Sequence, residues 1–176
     1  TGMTLDPHSQ HDRDSQRLAW ARRALDDSAA TLQRASVDAG HRSYWRSSGH
    51  GADRIVMDSP PLLEDVRPWL RMRDLLENGG VRVPQVLARD TDAGFLLLED
   101  LGGPTLAQVL DASNADAYFD LAITQLLRLQ AIPVSMEMGD FGEALLQRDA
   151  GLFEEWFLRR HLGIELDCDE SDKLEI

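Results

Sequence analysis

The sequence predicts an α+β fold in which a five-stranded antiparallel sheet with flanking helices gives way to an all-helical segment. Three observations predict it. Short β-prone segments at residues 31–37, 43–48 and 53–58 are separated by turn signals at Asp38-Ala39-Gly40 and Ser47-Ser48-Gly49-His50-Gly51. The run Phe95-Leu96-Leu97-Leu98 is continuously apolar, as a buried strand is, and leads through Glu99-Asp100 into Gly102-Gly103-Pro104. Past Pro104 the strand signals cease and helical periodicity takes over.

In chain order, residues 1–16 are polar and are expected to form a disordered tail. Residues 14–27 have helical spacing, with Leu18, Ala21 and Leu25 on one face and Trp20 and Ala24 beside them. The three β-prone segments then form an antiparallel meander. Pro60-Pro61 is expected to open a second helix, with Glu64 and Asp65 in its first turn, where carboxylates complement the helix dipole. Leu62, Val66, Trp69, Leu70 and Leu76 would form its apolar face, and Asn78-Gly79-Gly80 would stop it. Two further strands are expected at 85–89 and 94–99, joined by Asp90-Thr91-Asp92-Ala93. A short helix at 106–110 and long amphipathic helices at 115–132 and 141–162 follow, and the acidic stretch 165–175 reads as solvated. The expected domains are therefore the tail 1–16, a sheet-bearing lobe 17–101, a linker 102–105 and a helical lobe 106–176.

The chain has 176 residues, 43% of them apolar, enough for a buried core. Its 31 acidic against 18 basic residues give a net charge of −13, which argues against partners such as nucleic acid or an anionic membrane surface. Cys168 is the only cysteine, so neither an internal disulfide nor a cysteine zinc site is available. No apolar run approaches the ~18 residues of a membrane-spanning helix. These features suit a soluble protein of the reducing cytoplasm.

A strand that ends in an acidic pair and two glycines leaves backbone N–H and C=O groups at a change of chain direction, an arrangement that can hold the edge of an adenine. Further motifs agree. Ala39-Gly40-His41-Arg42-Ser43-Tyr44-Trp45-Arg46, Arg54-Ile55-Val56-Met57-Asp58-Ser59-Pro60-Pro61, Glu64-Asp65-Val66-Arg67-Pro68, the segment 94–102 and Leu152-Phe153-Glu154-Glu155-Trp156 resemble the aminoglycoside phosphotransferase superfamily, which has a protein-kinase-like fold. Within it they look most like bacterial cell-wall-recycling sugar kinases, which phosphorylate the anomeric hydroxyl of N-acetylmuramate and N-acetylglucosamine with ATP and Mg²⁺. The resemblance covers roughly residues 18–163. It implies a kinase-like N-lobe followed by the first helices of an incomplete α-helical C-lobe.

The resemblance also implies site residues. Gly40, His41 and Arg42 would belong to the loop over the nucleotide phosphates, although a plain hairpin turn explains the same residues. Val56 and Leu98 would wall the adenine, or else be ordinary sheet core. The backbone of Glu99 and Leu101 would meet the adenine edge. Where kinases carry a phosphate-pairing lysine, this chain reads Met57-Asp58, and its only lysine is Lys173. Arg42, Arg46 or Arg54 could substitute, while Glu64 reads more simply as a first-turn acid. Trp156, with Phe153 and Phe157 nearby, would line the sugar site, the alternative being a helix-core stripe.

In this superfamily the catalytic base lies in a His-x-Asp motif. His8, His11, His41, His50 and His161 are followed two positions on by Gln10, Arg13, Ser43, Ala52 and Gly163, so no such motif is present. The chain thus reads as an N-terminal fragment, inactive by itself, without catalytic or metal ligands of its own and with an exposed helical face that favours self-association. Two other readings stay open: a kinase for an aminoglycoside or choline-like substrate, and a non-catalytic module that binds nucleotide or protein.

Overall fold

A strand with four successive apolar residues needs cover on both faces, and β5 (Phe95–Glu99) has it over Phe95 to Leu98. The computed structural model describes residues 7–36, 40–49, 51, 53–133 and 142–166. Before β5 come α1 (Pro7–Leu25), β1 (Thr31–Ser36), β2 (Ser43–Ser48), β3 (Arg54–Asp58), α2 (Arg67–Asn78) and β4 (Val86–Asp90). After it come α3 (Leu106–Val109), α4 (Ala115–Gln130), α5 (Glu143–Leu152) and a π-helical segment, Phe153–Leu162. The sheet is antiparallel throughout, in the order β1-β2-β3-β5-β4. This is the expected α+β architecture of a kinase-like N-lobe continued by helices.

Side chains alternate along each strand, so every second residue faces the same helix. Val56, Phe95 and Leu97 face α1 and pack with Trp20 and Ala21. Met57, Leu96 and Leu98 face α2 and pack with Val66 and Leu70. Each such burial contributes roughly 1.5–3 kcal/mol, which makes β3 and β5 the best-anchored part of the sheet.

α1 begins at Pro7, ahead of the expected residue 14, so residues 7–16 are helical and not a disordered tail. The physical cause is a charge cluster that local periodicity does not register. Asp58, 2% exposed at the end of β3, accepts hydrogen bonds from Arg13 Nη2 at 2.6 Å and Arg17 Nη1 at 3.0 Å. Arg13 also lies 4.0 Å over the Phe95 ring and Arg17 3.7 Å over Trp45, while Trp20 stacks on Phe95. The first turns of α1 are held by ion pairs and cation–π contacts, with the apolar stripe entering only from Trp20. Arg22 and Arg23 in its last turn complement the helix dipole.

The second helix starts at Arg67, not at Pro60-Pro61. Between them the chain makes a tight turn in which Leu63 and Glu64 both donate their N–H to the Pro60 carbonyl, and Ser59 Oγ donates to the Glu64 carbonyl at 2.8 Å. Pro68 lies in the first turn of α2, and Asp65 Oδ1 accepts the Arg67 N–H at 3.0 Å. Leu62, expected on the buried face, is consequently 96% exposed, and Glu64 is not a first-turn residue.

The chain divides into two compact units, Thr1–Ile132 and Pro133–Ile176. In the first, Ile132 lies against Gly79 at the end of α2, where a Cβ would collide with it. In the second, Arg159–Glu154 and Arg160–Glu155 pair at 2.8 Å across five residues, a spacing that matches the wider π-helical turn. Gly163, at φ +67°, ends it. The expected acidic stretch lies largely outside the described residues, as does Cys168.

Two stability tests follow from these packings. Gly94 has φ +74° and its carbonyl accepts the Ser59 N–H at 2.9 Å; a Cβ there would overlap the Ser59 carbonyl oxygen. Gly94→Ala is expected to destabilise the chain by roughly 2 kcal/mol or more, read as a lowered midpoint in urea unfolding. Asp58→Ala strands two arginines, and thermal unfolding should register a loss of about 3 kcal/mol.

Candidate functional site

The register of the central strands decides which residues can share a site. Ile55 lies opposite Leu98, and Val56 lies opposite Leu97. Directly opposed residues point to the same face, so Val56 and Leu98 point to opposite faces of the sheet. Val56 is fully buried against α1, with Trp20 and Phe95. It therefore cannot form one wall of a cleft whose other wall is Leu98. Ile55 is the β3 residue beside Leu98, and both belong to the cluster that includes Met57, Tyr44 and Val86. The period-two alternation pointed to Ile55 once the strand pair β3–β5 was known; the sequence motif alone did not reveal the pairing.

The α2 side of the sheet carries polar groups at both ends. At the β5 end, Arg46 on β2 spans to Asp100, with Nε donating to Oδ2 at 2.5 Å and Nη2 to Oδ1 at 3.3 Å. Asp100 Oδ1 also accepts the N–H of Gly102 at 2.9 Å. The Arg46 guanidinium and that backbone bond hold the Asp100 carboxyl below its ordinary range, against a smaller opposite push from burial. Gly102 and Gly103 both have left-handed backbone, at φ +59° and +73°, which only glycine adopts without strain. These residues turn the chain away from the sheet immediately after β5.

The backbone positions expected to meet the adenine edge sit at this turn. Glu99 donates its N–H to the Gln85 carbonyl at 2.9 Å, and its carboxylate pairs with Arg82. That contact, with the Gln85 N–H, lowers the Glu99 carboxyl from its ordinary value. Leu101 is 58% exposed.

At the other end, Gly40 and His41 are exposed and Arg42 is half-buried. Asp38 and Ala39, expected in the same loop, lie outside the described residues. Gly40 has neither a left-handed backbone nor a crowded position, since a Cβ would approach only Glu64 Oε2, at 3.9 Å. Arg42 Nε lies 3.0 Å from Glu64 Oε1. The Nε–H is not aligned with that oxygen, so the contact is an ion pair without a hydrogen bond. Glu64, read from the sequence as a helix-start acid, is thus the partner of Arg42.

In the second unit, Trp156 is 56% exposed, with the Arg160 guanidinium 4.1 Å above its ring. Phe153 stacks on Phe157 at 5.3 Å, and Phe157 lies 5.7 Å from His161. Among the described residues no three metal-ligating side chains converge, and no helix is long and apolar enough to cross a membrane.

The family model described as "phosphotransferase enzyme family" matches residues 31–174. An N-acetylmuramate/N-acetylglucosamine kinase of Pseudomonas aeruginosa is 44% identical over 138 residues, covering 78% of this chain and 41% of that protein. The kinase of the same name from Pseudomonas putida is 41% identical over 136 residues, covering 77% and 40%. That of Neisseria meningitidis serogroup B is 34% identical over 152 residues, covering 84% and 45%. The chain spans about two fifths of the length of these curated relatives.

The Arg46–Asp100 contact has a pH signature. A carboxylate whose pKa is lowered on folding stabilises above its unfolded pKa, and that stability disappears as pH falls through the folded value. Asp100→Asn should therefore lower the melting temperature near neutral pH. The gap from the unmodified chain should close as pH drops below the ordinary carboxylate range, as followed by circular dichroism.

Proposed function

The chain belongs to the phosphotransferase enzyme family, and on that footing we propose that it is the nucleotide-binding part of an ATP-dependent sugar kinase. In the whole protein the γ-phosphate of ATP passes, with Mg²⁺, to the anomeric hydroxyl of N-acetylmuramate or N-acetylglucosamine, a reaction of cell-wall recycling. The observation that carries the nucleotide reading is the turn at 99–103. There the buried strand carrying Leu98, which lies opposite Ile55, gives way within a few residues to two left-handed glycines. The sugar assignment rests on the names of the relatives.

In this reading the adenine lies against Ile55 and Leu98, with its edge at the backbone of Glu99 and Leu101. Gly40, His41 and Arg42 lie over the phosphates. Trp156 offers an aromatic face to the sugar. Phosphoryl transfer depends on positioning and on charge stabilisation around the transferred group. The 176 residues hold no His-x-Asp segment to orient the acceptor hydroxyl, and so they bind nucleotide without turning it over.

The test is ATP consumption by the whole protein with N-acetylmuramate, N-acetylglucosamine and kanamycin as acceptors. Phosphorylation of the two amino sugars is expected. Transfer to kanamycin alone overturns the sugar assignment, and turnover by the 176-residue chain overturns the claim that it only binds.

A further inference from the structure

We propose that Arg42, positioned by Glu64, is the cation that receives the nucleotide phosphates. The inference rests on the nucleotide reading above and adds to it the residue that carries the charge. A chain with net charge −13 repels a polyphosphate at long range, so binding needs a local cation with N–H donors still to give.

Strand β3, which runs under the proposed site, supplies none on the α2 side. Its residues on the α2 side are Ile55 and Met57, and Met57 is fully buried. Asp58 points to the α1 side and is taken by Arg13 and Arg17. The strand arginines can be sorted by register; Arg89 on β4 lies opposite Leu96 and so faces α2, but at the far edge of the sheet, beyond β5, beside Leu70 and Asp74. Arg34 lies opposite Trp45, a residue of the α1 side, and Arg54 alternates with Val56 to that same side. Arg46 faces the α2 side but gives two hydrogen bonds to Asp100.

Arg42 is different. Its nearest approach to Glu64 is through Nε, and no hydrogen bond from Nη1 or Nη2 is recorded among the described residues. Four of the five guanidinium N–H groups sit on those two nitrogens, in a planar fork suited to phosphate oxygens. The side chains of Arg42 and Glu64 are 28% and 32% exposed, so the pair is open to a ligand.

Glu64 is itself fixed. Its N–H goes to the Pro60 carbonyl at 3.0 Å, and its carbonyl accepts from Ser59 Oγ at 2.8 Å, with Ser59 wholly buried. The turn that delays α2 thus sets a carboxylate beside Arg42 and limits the swing of its guanidinium. Spacing agrees with the role. Arg42 and Arg46 are four residues apart in extended chain, roughly 13 Å. One arginine therefore stands near the hinge, where the base would lie, and the other stands at the far end, where phosphates would.

The experiment is equilibrium titration of the 176-residue chain and its variants with ATP and with adenosine, by calorimetry. Arg42→Ala is expected to weaken ATP binding about tenfold or more, the loss of charge-assisted hydrogen bonds, with adenosine affinity unchanged. Arg42→Lys should recover part of the loss. Glu64→Gln should weaken ATP alone, and should add nothing in the Arg42→Ala background, as a positioning role requires. Equal ATP affinity in Arg42→Ala and the unmodified chain overturns the inference while leaving the nucleotide reading intact. An unmodified chain that binds neither ATP nor adenosine overturns both.

Discussion

Strands β3 and β5 are covered on both faces, and this double cover is the constraint on which the rest of the lobe depends. Alternation makes each of their residues belong to one helix or the other, with no residue neutral. Val56 and Asp58 go with α1, and Ile55 and Met57 go with α2. A slip of one residue would put Asp58 among Val66 and Leu70 and strip Arg13 and Arg17 of their partner. The cost of an unpaired buried charge, about 3–5 kcal/mol, therefore fixes the register as firmly as the apolar packing does.

The same constraint sorts charge. On the α1 side, arginine and aspartate are buried together and spent on structure. On the α2 side the ion pairs sit at the two ends of an apolar strip and stay partly open. A markedly acidic protein can in this way keep guanidinium groups at one edge, since the field at a site is set by the nearest groups more than by the total.

Most of the fold was legible in the sequence because it is written in local signals. Turn dipeptides separate the meander strands, and the apolar run 95–98 announces a covered strand. What was illegible depends on contacts between distant residues. The first turns of α1 are held by Asp58, more than forty positions away, so their polar sequence reads as tail. The start of α2 was misjudged because two prolines followed by acids imitate a helix opening, whereas the Ser59 hydroxyl and the Pro60 carbonyl hold that stretch as a turn. Gly102 and Gly103 were read from position alone as a change of chain direction, and both have left-handed backbone. The partner of Leu98 was not so read, because choosing Ile55 over Val56 needs the register between two strands that are not neighbours in sequence.

The near-absence of lysine has a chemical consequence beyond charge. Lys173 is the only side-chain amine in the sequence, and it stands far along the chain from every strand. Reagents that tag nucleotide sites by acylating lysine have no side chain to react with in this sheet. Dicarbonyl reagents, which condense with guanidinium groups, meet Arg42 partly open at one end and Arg17 sealed between α1 and the sheet. Accessibility within a single residue type thereby distinguishes an arginine that carries structure from one that is open to ligand.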